Sequence, residues 1–134
     1  MPKWTNASVQ DGGSDVIRTL AATAARVKQH LIKAYAAGDS YVVVVTTNGL
    51  GSVDMVPGDF VQSGAASATR TTTIAAKSIA LTASSGAAPN LHIALVDSVS
   101  LVVLLVTDET SDQVVTSGGS FSVPAWTYTV AQPT

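Results

Sequence analysis

The chain has no cysteine among its 134 residues. That excludes a disulfide framework, a thiolate nucleophile and any cysteine-ligated metal. Charge is also scarce, at 12% of residues against a usual share of about 25%. Ser, Thr, Ala and Gly fill the gap, a composition suited to a domain whose surface neighbouring subunits will cover. The two histidines, His30 and His92, stand at no metal-ligand spacing, so a zinc site is not expected. The longest apolar runs, 41–45 and 101–106, fall far short of the roughly 20 residues of a membrane helix, so no membrane partner is expected. A net charge of −2 argues against nucleic acid as a partner. Met1-Pro2-Lys3-Trp4-Thr5-Asn6 has no apolar run behind its lysine and does not read as a secretory signal, which places synthesis in the cytoplasm.

What is present predicts one domain over 1–134, with an N-terminal arm (1–13), a helix (14–37) and a β-domain (41–131). Val16, Leu20, Ala24, Val27, Leu31 and Tyr35 recur at intervals of three and four, while Arg18, Arg26 and Lys33 take the opposite face. Ser14 suits the N-cap, Asp15 the positive end of the dipole and Gly38 the left-handed stop. Beyond Gly38 the pattern turns to strands. The β-branched run 41–47 and the turn signal Asn48-Gly49 predict a hairpin returning through 53–56. Residues 69–75 predict a Thr-rich strand at an edge or with one face in water. Alternation predicts strands over 78–83 and 90–95, with a turn at Asp97-Ser98. Residues 101–106 are apolar at every position, which predicts a central strand covered on both faces by a second sheet, the helix or another subunit. Near the end, Phe121 and Val123 are odd-numbered and Trp126, Tyr128 and Val130 even, so a single strand with one buried face must break parity between them. Pro124-Ala125 is read as a bulge or kink in an edge strand. The expected fold is mainly β with one N-terminal α-helix, a compact antiparallel β-sandwich or barrel-like domain.

Catalytic chemistry has little to stand on. His92, Asp97 and one of many serines lack the Gly-x-Ser-x-Gly elbow that presents a nucleophile, so no catalytic residue is assigned and no enzyme is expected. The glycine-rich stretches Asn48-Gly49-Leu50-Gly51 and Ser117-Gly118-Gly119-Ser120 lead into no predicted helix and read as turns rather than phosphate cradles. Asp108, Glu109 and Asp112 crowd one turn without the glycine or spacing of a calcium loop and read as solvated acids. No cofactor and no metal are expected. Lys3, Trp4 and Trp126 are the candidate partner-binding residues, because an exposed Trp can fill a pocket on another subunit. A Trp126–Tyr128 stacking platform for glycans is the alternative.

Four stretches together carry a resemblance: Met1-Pro2-Lys3-Trp4-Thr5-Asn6, Thr73-Ile74-Ala75-Ala76-Lys77-Ser78, His92-Ile93-Ala94-Leu95-Val96-Asp97 and Val123-Pro124-Ala125-Trp126. In order and spacing over roughly the last 70 residues they resemble a family of small virion proteins of tailed bacteriophages. The helix expected over 14–37 is longer than that family's N-terminal segment. The resemblance implies a capsid decoration, or cement, protein on the outer surface of the head. Its implied partner is the major capsid protein, with self-association as a trimer by analogy. A tail or head-fibre component and a host-surface or glycan-binding module are the alternatives.

Overall fold

The computed structural model describes residues 11–65 and 68–130. Among the described residues two antiparallel sheets pack together as a sandwich, with one α-helix before them. The helix α1 is Gly12–Ala21, and the strands are β1 Val27–Ile32, β2 Gly49–Asp54, β3 Phe60–Ser63, β4 Arg70–Ile74, β5 Lys77–Leu81, β6 His92–Asp97, β7 Val102–Asp108, β8 Ser120–Val123 and β9 Trp126–Val130. The larger sheet has the order β7-β6-β1-β2-β5-β8 and the smaller β3-β4-β9. Among the described residues neither sheet closes on itself, so the barrel-like variant of the expected fold is not the one adopted.

The helix expected over 14–37 is half helix and half strand. α1 stops at Ala21, Ala25 turns the chain at φ 60°, and β1 then runs through the middle of the larger sheet. The reason is a degeneracy of spacing. Val27 and Leu31 are four apart, which places them on one face of a helix and equally on one face of a strand. In β1 they point inward with Gln29 between them, and all three are fully buried. The inward face of α1 is also rotated from expectation: Ile17 and Ala21 are buried, whereas Val16 is exposed.

The run 41–47 corrects the opposite way. It forms a helical turn, π-type over Val43–Thr47, in which Asn48 N–H donates to the Val43 carbonyl at 3.0 Å and Ser40 Oγ accepts from Val43 N–H. This segment lies across the outer face of the larger sheet, where buried Val44 meets Ile32, Ala94 and Val96. Tertiary burial overrides the strand preference of four consecutive valines. Asn48-Gly49 therefore closes no hairpin. Gly49 starts β2, and a Cβ there would sit 2.1 Å from the Val45 carbonyl oxygen, a close approach that demands glycine.

The parity break at Pro124-Ala125 marks a change of sheet rather than a kink. β8 ends on one edge of the larger sheet and β9 begins on an edge of the smaller. The chain crosses at two other corners as well, through Pro57–Asp59 after β2 and through Ala75-Ala76 after β4. β4 is the middle strand of its sheet, with Thr72 and Ile74 turned inward.

The core between the sheets falls into two clusters. One gathers Leu31, Leu50, Ile79, Leu91, Ile93 and Phe121, and the other Ile17, Val27, Met55, Phe60, Ile74 and Leu95. Trp126 packs against both. Completely burying a side chain of this kind stabilises by about 1.5–3 kcal/mol.

Candidate assembly surface

Two of the three expected partner-binding residues, Lys3 and Trp4, lie outside the described residues. Trp126 is half-buried at the junction of the two core clusters, and its indole Nε1–H donates to Gln29 Oε1 at 3.0 Å. That bond ties β9 to the centre of the larger sheet. Tyr128, two residues on, packs against the same core, so the pair does not stand out from the surface as a stacking platform.

The charged side chains mostly stitch the fold together. Asp97, almost fully buried, takes Arg26 in a two-pronged pair, Nε to Oδ1 at 2.9 Å and Nη2 to Oδ2 at 3.0 Å. It also accepts from the backbone N–H of Val99 and Ser100, which folds the β6–β7 turn around the carboxylate. The Arg26 guanidinium, together with these turn amides, holds its acidity well below the usual carboxylate range. Asp11 takes Arg70 in the same fashion and fastens the start of α1 to β4. Gln62 on β3 completes that clamp, accepting from Arg18 and donating to Ser14 Oγ and Asp15 Oδ1. Lys77 meets Asp59 at 2.9 Å across the corner where the chain changes sheet.

The polar residues weighed for chemistry do not converge. His92 and Asp97 sit at opposite ends of β6. The His92 ring leans on Tyr35 at 5.9 Å, with Nδ1 3.0 Å from the Asn90 carbonyl oxygen and Nε2 3.7 Å from Asp108 Oδ1. Asp112 accepts from Leu91 N–H and Glu109 from Ser111 N–H, so these acids cap separate turns. Among the described residues no group of three His, Asp or Glu side chains is placed to hold a metal ion. His30 faces away from the sandwich interior and is nearly buried, and its Nε2 has no hydrogen-bond partner. Burial, with a smaller push from the Lys28 charge, lowers its pKa to about 4.

Some of what the described residues leave uncovered is apolar. β7, expected at the centre of its sheet, is an edge strand. Its Leu104 and Leu105 lean on the interior, Val103 and Val106 on the outer-face cluster, and all four remain half-buried. The turn leading into it and the strand's first residue are barer still: Val99 is 64% exposed, Leu101 60% and Val102 47%. Leu101 holds φ 58°, a left-handed conformation in which a bulky side chain is strained. Beside the strand, Gly13, Val16, Ile17, Leu104, Leu105 and Tyr128 line an open apolar groove of roughly 340 Å³. Val42, Val56, Val61 and Val114 are exposed elsewhere on the surface.

The continuous run 101–106 predicts cover on both faces, by a second sheet, the helix or another subunit, and a central place in its sheet; the strand it forms lies instead at an edge of the described sheet. No protein-family model, curated protein sequence or solved structure matches the chain.

Proposed function

We propose that this chain is a structural protein that works by packing against other protein subunits, and that its place is the outer surface of a bacteriophage head, as a decoration protein bridging major capsid protein subunits. The observation that carries the packing reading is the exposed apolar β6–β7 turn with its half-covered edge strand. A lone soluble domain gains nothing from this arrangement, whereas a domain with neighbours does. The low charge and the Ser- and Thr-rich composition support the same reading. The more specific placement on a phage head rests on the ordered resemblance of residues 1–6, 73–78, 92–97 and 123–126.

Binding that favours only the assembled shell stabilises it by mass action, and many identical sites multiply a modest effect. The test is to image particles with and without the chain and to heat both under equal salt. The expected result is density on the outer head and genome release at a lower temperature when the chain is missing. Density on the tail or on a fibre would move the chain to the alternative placement. Absence from purified particles would remove the virion reading altogether.

A further inference from the structure

We infer that β7 is a pairing edge for a second copy of this chain, joined antiparallel about a two-fold axis near Leu104 and Leu105, so that the two larger sheets run on as one.

The backbone gives the first reason. In an antiparallel ladder an edge strand turns part of its N–H and C=O groups away from its only neighbour, and here that neighbour is β6. Among the described residues no strand pairs with the outer side of β7. Groups of this kind fit another strand better than they fit a helix or a flat apolar surface.

Side chains give the second. Edge strands are usually protected by charge, proline, shortness or a bulge. β7 spans Val102–Asp108, and its first charge is the last residue. It contains no proline and keeps only the bulge, where the register with β6 slips between Leu95 and Val96. The slip turns both Leu104 and Leu105 toward the groove beside α1, so a strand added at this edge also covers Val16 and Ile17. Leu101 strengthens the case. Glycine or asparagine would relieve its left-handed backbone, yet the position carries a large apolar side chain aimed at solvent.

Charge selects the partner and the direction. The strand ends in Asp108, whose side chain is 64% exposed, followed by Glu109. Its other end adjoins Ser100, whose Oγ is held by Arg26 Nη2 at 3.1 Å. Two parallel copies would set Asp108 against Asp108. Antiparallel copies centred on Leu104 and Leu105 set Asp108 of each beside Leu101 and Val102 of the other. The edge thus keeps its acids apart in one direction only, that of an isologous two-fold contact.

This inference shares with the packing reading the premise that uncovered apolar surface is contact surface, but its test needs no virion. Sedimentation of the purified full chain over a range of concentration is expected to show a reversible monomer–dimer equilibrium. Placing like charges at the joint with Leu101→Asp and Val102→Asp together, opposite Asp108 of the other copy, is expected to weaken it by about tenfold or more, with an unchanged circular dichroism spectrum. Should that pair fail to fold, Val102→Asp alone replaces it. Because the chain lacks cysteine, direction can be read by cross-linking. A mixture of Leu101→Cys chains with Asp108→Cys chains is expected to give the mixed disulfide in preference to either homodimer. A wild-type chain that stays monomeric at every concentration overturns the inference, as does a trimer. A dimer indifferent to aspartate at 101 and 102, or one that cross-links 108 to 108, overturns it equally. If dimerisation holds while the chain is missing from particles, only the virion placement falls.

Discussion

β1 and β7 belong to the same sheet and contradict their own compositions. β1, Val-Lys-Gln-His-Leu-Ile, carries three polar residues in six and runs through the interior of the sheet with five of its positions buried. β7, Val-Val-Leu-Leu-Val-Thr-Asp, is the more apolar of the two and lies at the rim with none of its positions fully buried. Hydrophobicity ranks what a strand needs covered. It does not say which molecule does the covering.

The contrast is sharpest under substitution. Leu31 in β1 is fully buried, and Leu31→Ala is expected to destabilise the domain by about 2–5 kcal/mol. Val102→Ala in β7 removes a side chain that is 47% exposed and should stay within about 0.5 kcal/mol in the monomer. Urea unfolding of both at low protein concentration measures the pair, and equal losses would put β7 back inside the fold.

Acid should expose the polar content of the central strand. His30 stays neutral in the fold because burial lowers its pKa to about 4, while the unfolded chain takes up the proton near the ordinary value of 6.5. The unfolded state therefore binds more protons between these values, and stability falls as pH drops from about 6.5 to about 4. The loss is on the order of 3 kcal/mol. Asp97 adds a loss in a lower window, because its carboxyl is held below the usual carboxylate range and the unfolded chain protonates first. Denaturation midpoints followed against pH, with a His30→Leu variant alongside, separate the two. The variant should flatten the upper window and leave the lower one.

A smaller effect separates the two sides of one hydrogen bond. Trp126→Phe leaves the buried Oε1 of Gln29 without its donor and is expected to cost about 1–3 kcal/mol. Gln29→Met loses the same bond but also removes a buried Nε2 that has no partner, so it should remain within about 1 kcal/mol of the parent. A large loss in Gln29→Met would mean that the glutamine is held by more than Trp126.

The alternating segments could be read from the sequence because period two has a single meaning in them. Ile79 with Leu81, and Ile93 with Leu95, lie inward as their spacing requires. β1 could not be read, since apolar residues four apart satisfy helix and strand alike. Nor could the helical turn of Val43–Thr47, whose conformation is decided by the outer-face cluster it covers. The parity break before Trp126 was visible, but its cause, a strand changing sheets, needs the position of both sheets. β7 was legible as an apolar run and misplaced for one reason: the sequence of one chain does not show where its sheet stops.

Amide hydrogen exchange at low and high protein concentration tests the packing reading most directly. The β1 amides should exchange only through global unfolding at both concentrations. The outward amides of β7 should exchange quickly in the dilute monomer and slow markedly when copies pair. Protection of β7 equal to that of β1 already in the dilute monomer would contradict an uncovered edge, and β7 amides that stay fast at every concentration would contradict its use as a contact.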